Sequence, residues 1–301
     1  MVSLIQLKVL SVVARLGSVT EAAKELHYTQ PSVSHHLARL ETATGAKLVQ
    51  RVGRGIRLTP EGRLLAARAA EIVGRVESAT SELAAQIGLQ TGRVRLAANA
   101  SALSTIVPRT AATLSETHPG MELRVIDAHP VEALQLLRRG EIEIAVGPRF
   151  ADAPVEGDGF RRIHVANDPI YLLSRQADDT VANHRDSGWI GGCQWCTSEL
   201  TRVCRAAGFT PRITSTSDDI VVVQSLVAAG VGVATMPGLS LRAHRHPDIE
   251  ATRLTGFDRE LDAVTYGDPP DPPGVTAVLE ALTSGQGSRL GDGWRSALVD
   301  W

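Results

Sequence analysis

Residues Val19 to Arg39, VTEAAKELHYTQPSVSHHLAR, hold two short helical patterns separated by a polar break. In the first, Ala22, Ala23 and Leu26 recur at helical spacing on one face, with Thr20 expected as the N-cap. The small alanines admit a second helix at close range. His27-Tyr28-Thr29 interrupts the period, and Pro31 suits the first turn of a new helix because its missing N–H would have no partner there. On that helix Val33, Leu37 and Leu40 face inward. Gln30, Ser32, Ser34, His35 and Arg39 point outward, with Thr29 and Pro31 at its start. This is the layout of a helix-turn-helix over 19–38, and the outward side chains have the sizes that reach base edges and phosphates in a major groove.

Two amphipathic helices and a polar turn also occur in proteins that never meet DNA, so the charge distribution bears on the reading. Residues 1–60 carry eight Lys and Arg against three Glu, a balance of +5, whereas the whole chain is −2. A near-neutral total therefore conceals a basic head on an acidic body, as expected for phosphate contacts. After the second helix, Lys47 to Pro60 forms two alternating runs around Gly53 to Gly55. They read as a small hairpin, or wing, with Arg51, Arg54 and Arg57 directed toward a nucleic-acid backbone.

The run from Leu4 to Gly62, LIQLKVLSVVARLGSVTEAAKELHYTQPSVSHHLARLETATGAKLVQRVGRGIRLTPEG, resembles the N-terminal domain of LysR-type transcriptional regulators. The match includes Gly17-Ser18, Ala22-Ala23, Gln30-Pro31-Ser32, Ser34, Leu40-Glu41 and the closing Leu58-Thr59-Pro60-Glu61-Gly62. Two positions depart from the family pattern. Val49-Gln50 stands where the family often has Leu-Phe, which removes an aromatic from the wing base and is expected to loosen it. His35-His36 stands where many members carry Arg or Gln, which bears on base preference.

From Pro60 the composition changes to a long helical pattern. Leu65, Ala69, Ile72, Val76, Ala79, Leu83 and Gln86 step by four and three, a heptad seam about three heptads long. So narrow a seam calls for a partner helix, which makes 61–90 a linker and dimerisation helix through Leu65, Ile72, Val76 and Leu83. Packing on its own domain is the alternative, and Gly74 weakens the helix. The resemblance favours pairing with a second copy of the chain, as a dimer or a dimer of dimers.

Residues 91–301 alternate short apolar strands with helical patterns. Strands are expected at 94–96, 122–126, 143–146, 170–174, 189–190, 212–214, 231–235 and 261–265, with helices near 103–117, 130–139, 197–207, 218–229 and 274–283. Such alternation predicts mostly parallel sheets with helices on both faces, and ligands at the carboxyl ends of strands. The expected fold class is thus an N-terminal all-α winged helix-turn-helix at 1–60, a linker helix, and a C-terminal α/β effector domain.

The resemblance implies that this last domain is built of two Rossmann-like subdomains of the periplasmic-binding-protein type. Subdomain I would hold 91–166 and 263–301, and subdomain II 167–262. The chain would cross near 160–168 and 260–266, with a small-molecule effector lodged between. On that mapping subdomain I offers Asn99, Ala100, Ser101, Ala128, His129, Gly147 and Phe150. Subdomain II offers Gly192, Cys193, Gln194, Asp218 and Met236. Ser101, a hydroxyl at a helix start, is suited to a carboxylate.

Three cysteines in 301 residues and no signal peptide fit a reducing cytosol, so the expected location is cytoplasmic. Cys193-Gln194-Trp195-Cys196 opens a helical pattern, which lowers the pKa of its first thiol and makes a redox-responsive regulator the alternative to a ligand-responsive one. As a zinc half-site it has no second His or Cys pair at metal spacing, so no metal or cofactor is expected. Ile220 to Leu241 has no charge for 22 positions, yet Gln224, Ser225, Gly230, Gly232 and Pro237 divide it into a core helix, a turn and a strand, not a membrane span. The chain has no GxSxG, P-loop or HExxH, and its C-terminal-domain histidines are scattered among loops, which argues against an enzyme. The expected partners are double-stranded promoter DNA, a small-molecule effector, a second copy of the chain and RNA polymerase, with no membrane.

Overall fold

Ser3 and Gln6 close a reciprocal capping box that starts α1 (Leu4–Leu16), and Gly17, in the left-handed region at φ 64°, stops it. The chain turns straight into extended Ser18, whose hydroxyl accepts from the Glu21 amide and caps α2 (Val19–Glu25). The cap is therefore Ser18, and the expected Thr20 lies inside the first turn of the helix, because the glycine stop brings the next start forward by two residues. Thr29 caps α3 (Gln30–Thr44) through the Ser32 amide. The computed structural model describes residues 1–52, 55–86, 92–149 and 159–284.

Cα packing divides the chain into two units, the first of Met1–Gln90 with 135–142 and the second of the remainder. In the first, Val33, Leu37 and Leu40 of α3 meet Leu7, Val9, Leu10, Val12 and Val13 of α1 and Ala22 and Ala23 of α2. Each fully buried aliphatic side chain contributes about 1.5–3 kcal/mol. The wing strands β1 (Val49–Val52) and β2 (Gly55–Leu58) pair antiparallel from Val49 with Leu58 to Val52 with Gly55. Val49, Ile56 and Leu58 are half-buried against the helical core, so Val49 fills part of the wing base without an aromatic.

Two devices fasten the wing. The Glu41 carboxylate at the end of α3 accepts from the Leu48 and Val49 amides at 2.9 and 3.3 Å and from Lys47 Nζ at 2.7 Å. Burial raises its pKa, but these hydrogen bonds outweigh burial and leave it below its ordinary value. Thr59 Oγ1 donates to the Lys47 carbonyl and accepts from the Gly62 amide, starting α4 (Pro60–Gln86). A Cβ at Gly62 would lie 2.0 Å from the Leu48 carbonyl oxygen, so only glycine lets the helix start this close to the wing.

Along α4, Ala66, Ala69 and Val73 are buried in the head's own core, with Leu65 half-buried beside them. The seam thus divides. Leu65, expected at a dimer contact, packs within its own chain because α1 lies along the first turns of α4. Ile72, Val76 and Leu83 remain 45 %, 42 % and 62 % exposed.

The second unit runs β3 (Arg93–Ala98), α5 (Ala100–Leu103), α6 (Ile106–Thr117), β4 (Glu122–Asp127), α7 (Pro130–Arg138), β5 (Ile144–Pro148) and β6 (Phe160–Asp168). It continues with β7 (Ile170–Ser174), a 3-10 turn at Val181–His184, β8 (Gly188–Gly191), α8 (Gln194–Ala206), β9 (Arg212–Thr216) and α9 (Ile220–Ala228). It closes with β10 (Ala234–Pro237), α10 (Gly238–Ala243), β11 (Glu250–Arg253), β12 (Arg259–Tyr266) and α11 (Pro273–Thr283). One sheet has the order β4-β3-β5-β12-β6 and another β10-β7-β11, beside the pair β8-β9.

These sheets are mixed, not mostly parallel as expected. β3 is parallel to β4 and β5, and β8 to β9. β12 runs antiparallel to β5 and β6, and β7 antiparallel to β10 and β11. The antiparallel strands include the two that carry the chain between sheets, β6 outward and β12 back. Their pairing runs from Arg259 opposite Asp168 to Tyr266 opposite Phe160. It therefore extends past the expected subdomain cuts at 166/167 and 262/263.

Val94, Leu96, Ile144, Val146, Leu261 and Ala263 form the core of the first sheet under α6 and α11. Two smaller clusters, around Trp189 and around Ile190, fill the other half. The uncharged stretch from Ile220 resolves into α9, a turn, β10 and α10. A Cβ at Gly232 would lie 2.5 Å from the Gly188 carbonyl oxygen, so that glycine serves a close backbone approach. Among the described residues no helix is long and apolar enough to cross a membrane.

Candidate functional site

Helix α3 presents Thr29, Gln30, Pro31, Ser34, His35 and Arg39 exposed, with Ser32 half-buried. Thr29 and Ser32 are joined by the capping bond, so the exposed polar side chains left are Gln30 in the first turn and Ser34, His35 and Arg39 beyond it. His36, between them in sequence, lies half-buried with its ring stacked on Tyr28, centroids 5.9 Å apart. That stack fixes the turn preceding α3 to the helix. Arg57 is exposed on β2. Of the other two arginines expected on the wing, the side chain of Arg51 and the whole of Arg54 lie outside the described residues, as does Phe150 of the ligand set.

In the second unit several expected ligand-site residues converge. His129, after β4, reaches Asp218, after β9, with Nε2 3.8 Å from Oδ2. Gly192 sits behind that pair, where a Cβ would lie 3.1 Å from Cys196 Cβ and 3.2 Å from Asp218 Oδ1. Cys193 and Gln194 follow at the start of α8, Gln194 exposed. On the other half, Asn99 precedes α5, and its buried Oδ1 has no hydrogen-bond partner. A Cβ at Gly147 would lie 3.8 Å from that oxygen. Ala100 is exposed, and Ala128 is buried with its amide donating to the Ala98 carbonyl.

Two expected ligand contacts are corrected. Met236 is 4 % exposed and belongs to the core beside Leu173, Ile190 and Val227, where its sulfur accepts from Gln224 Nε2. Ser101 is 3 % exposed, and its hydroxyl oxygen already accepts from Asn99 Nδ2 at 3.0 Å and from Arg259 Nη2 at 2.7 Å. Being the helix-start hydroxyl, it was a natural partner for a carboxylate, but the guanidinium of Arg259 occupies that place.

Arg259 was missed by sequence reasoning, as was its partner Asp168. Arg259 donates through Nε and Nη2 to Asp168 Oδ2 at 2.9 and 2.7 Å, and Asp168 Oδ1 accepts from the Leu239 amide. The group ties the facing ends of β6 and β12 to the starts of α5 and α10. The available signal was a charged residue at the edge of each apolar run. Nearby, Asp262 is buried with Arg149 Nη2 at 2.8 Å and Arg162 Nη1 at 3.1 Å on the same oxygen. His164, Glu260 and Asp262 lie close enough to hold a cation, yet two guanidiniums already neutralise that carboxylate, so the trio is a poor metal site.

Cys193 is the N-cap of α8, and its sulfur accepts from the Cys196 amide and lies 3.2 Å from Cys196 Sγ. The Cys196 thiol hydrogen bond lowers the Cys193 pKa most, burial opposes it, and the α8 amides and His129 add to the lowering, bringing it to about 6. The same bond holds the proton on Cys196 and pushes its pKa up. Cys204 is buried in the Trp189 cluster, and burial alone raises its pKa to about 11.

Residues 4–63 match the family model described as a bacterial regulatory helix-turn-helix protein of the lysR family, and residues 88–286 match the LysR substrate binding domain. The HTH-type transcriptional regulator TdfR of Cupriavidus pinatubonensis is 26 % identical over 94 % of this chain and 99 % of its own length. The regulator CfxR of Cupriavidus necator is 34 % identical over 50 % of this chain and 48 % of its own. A full-length OxyR variant from Pseudomonas aeruginosa superposes with a TM-score of 0.71 at 19 % identity, over 94 % of this chain and 95 % of that one. CbnR solved with its target DNA gives 0.65 at 21 %, over 93 % and 98 %. With a DNA-reading head, a ligand-domain fold following it in the chain and both family models matched in order, the chain belongs to the LysR family of transcriptional regulators, which bind DNA through the N-terminal head and carry an effector-binding domain.

Proposed function

We propose that the chain reads a dyad-symmetric promoter site through Thr29, Gln30, Pro31, Ser32, Ser34, His35 and Arg39, braced on phosphates by Arg51, Arg54 and Arg57. The observation that carries this is the polar face of α3, exposed opposite a face whose Val33, Leu37 and Leu40 are buried in the head's core. Two such heads need a fixed separation of one DNA turn, roughly 34 Å, or a multiple of it. Ile72, Val76 and Leu83, exposed on α4, supply an apolar stripe for pairing with a second copy, as a dimer or dimer of dimers.

A small-molecule effector occupies the region of Asn99, Ala100, His129, Gly147, Gly192, Cys193, Gln194 and Asp218. It acts by its different affinity for two arrangements of the chain. The His129–Asp218 approach from opposite halves of the second unit supports this placement. The division into a head at 1–60, a linker at 61–90 and two subdomains, RNA polymerase as a further partner, and a cytoplasmic site of action belong to the same reading. So does a role in binding without turnover, in keeping with relatives that are transcriptional regulators. Selection of bound sequences from random duplex DNA by the full chain tests it. The expected result is one motif repeated with dyad symmetry at a whole-turn spacing. Recovery of sequences without a common motif would reject it.

A further inference from the structure

We propose that Cys193 and Cys196 are a thiol–disulfide site in the wall of the effector cleft, oxidised by a small hydroperoxide. This rests on the cleft reading above and adds a chemical input to it, without replacing the ligand.

Three observations on the molecule combine. The sulfurs are 3.2 Å apart, so bonding them requires a closure of about one ångström and no rearrangement of the helix. Cys193 is held at the N-terminus of the 13-residue α8, where the Cys196 amide donates to its sulfur and His129 lies close by. The third cysteine, Cys204, is buried among Trp189, Leu200 and Val203, so the pair at 193 and 196 is the accessible one. The thiolate character of Cys193, with its pKa at about 6, agrees with this geometry.

The chemistry balances with the peroxide as oxidant. The Cys193 thiolate attacks the terminal peroxide oxygen, the O–O bond breaks, and the leaving hydroxide of hydrogen peroxide, or the alkoxide of an organic hydroperoxide, takes a proton to become water or an alcohol. Cys193 is then a sulfenic acid. Cys196 sulfur attacks the Cys193 sulfur, its proton leaves with the hydroxyl as water, and the S–S bond forms. Two electrons pass from the thiols to the peroxide. The site touches the cleft because Cys196 Cβ and Asp218 both crowd Gly192, and Asp218 faces His129. Drawing the sulfurs together therefore alters the wall that the effector would meet.

The test uses the full chain, reduced and freed of reductant, then treated with hydrogen peroxide at pH 7. Intact-mass and peptide mass spectrometry should show the loss of two hydrogens between Cys193 and Cys196, with Cys204 still a thiol. Cys204→Ser should behave as wild type. Cys196→Ser should stop at a sulfenic acid trapped by dimedone on Cys193, and Cys193→Ser should lose its peroxide reactivity. The rate should rise with pH through a midpoint near 6. Three intact thiols after treatment, or dimedone capture in wild type without a disulfide, would overturn the proposal. The mass readout involves no effector, so it stands or falls separately from the cleft reading. A ligand found by thermal-shift screening whose affinity is the same for reduced and oxidised chain would leave the disulfide but reject its place in the cleft.

Discussion

Replacing Arg259 by alanine should destabilise the second unit more than any other single truncation near the ligand region. The guanidinium makes two hydrogen bonds to Asp168 Oδ2, at 2.9 and 2.7 Å, and one to Ser101 Oγ at 2.7 Å. The side chains of Arg259 and Asp168 are 13 % and 1 % exposed, so water cannot take over the abandoned carboxylate. Its remaining partner is the Leu239 amide. Breaking a buried ion pair from one side costs about 3–5 kcal/mol. At roughly 2–4 °C per kcal/mol for a unit of this size, the expected fall in its melting transition is about 6–20 °C. Scanning calorimetry on the full chain reads this, with the head's transition as an internal reference. Adding Asp168→Asn to Arg259→Ala should recover part of the loss, because a neutral amide at position 168 costs far less to leave unpaired. A single mutant within 2 °C (about 1 kcal/mol) of wild type, or a double mutant with strictly additive losses, would refute the argument.

Gly62→Ala should weaken the head by about 1–3 kcal/mol in a thermal melt, since its Cβ would meet the Leu48 carbonyl oxygen at 2.0 Å; an unchanged melt would mean that α4 moves away freely. Asp179 is raised by burial but lowered further by hydrogen bonds from Ser174, Asn183, His184 and the Thr180 amide, to about 2. A depressed carboxylate stabilises the fold above its unfolded pKa and loses that contribution as pH falls through the folded value. Asp179→Asn should therefore cost about 2 kcal/mol at pH 6 and progressively less as pH falls through about 2, and a cost that does not vary with pH would contradict this assignment. Val76→Glu places a charge in the exposed stripe of α4, so light scattering should show loss of the linker-paired species while the chain stays folded. A variant of unchanged mass would mean that the stripe has no partner.

The head was legible because its signals are local. Alanine spacing, Pro31, the glycine after α1 and the inward Val33, Leu37 and Leu40 each act within a few residues, and the helices form where they indicate. The exception, the cap at Ser18 in place of Thr20, turned on where the previous helix stops. On the linker, a heptad count alone did not distinguish the part of the stripe covered by α1 from the part left open, so Leu65 went to the wrong surface. In the second unit strand positions were legible but their directions were not. β12 is apolar on every register position from Leu261 to Val264 except Asp262, and a doubly covered strand reads alike in either direction. Ser101 failed for a related reason. Its partner Arg259, and the Asp168 that holds Arg259, are 158 and 67 residues away in sequence, so nothing near it signalled that a guanidinium already engaged its hydroxyl.

Gln30→Ala addresses the central claim most directly, because Gln30 is exposed at the start of α3 and lies outside the buried core of the head. Binding of wild type and variant is titrated on the selected dyad and on scrambled DNA of equal length at one salt concentration. Direct base reading predicts a loss of about 1–3 kcal/mol on the dyad and almost none on the scrambled duplex. Equal losses on both, or none on either, would contradict the assignment of α3 as the helix that reads the bases.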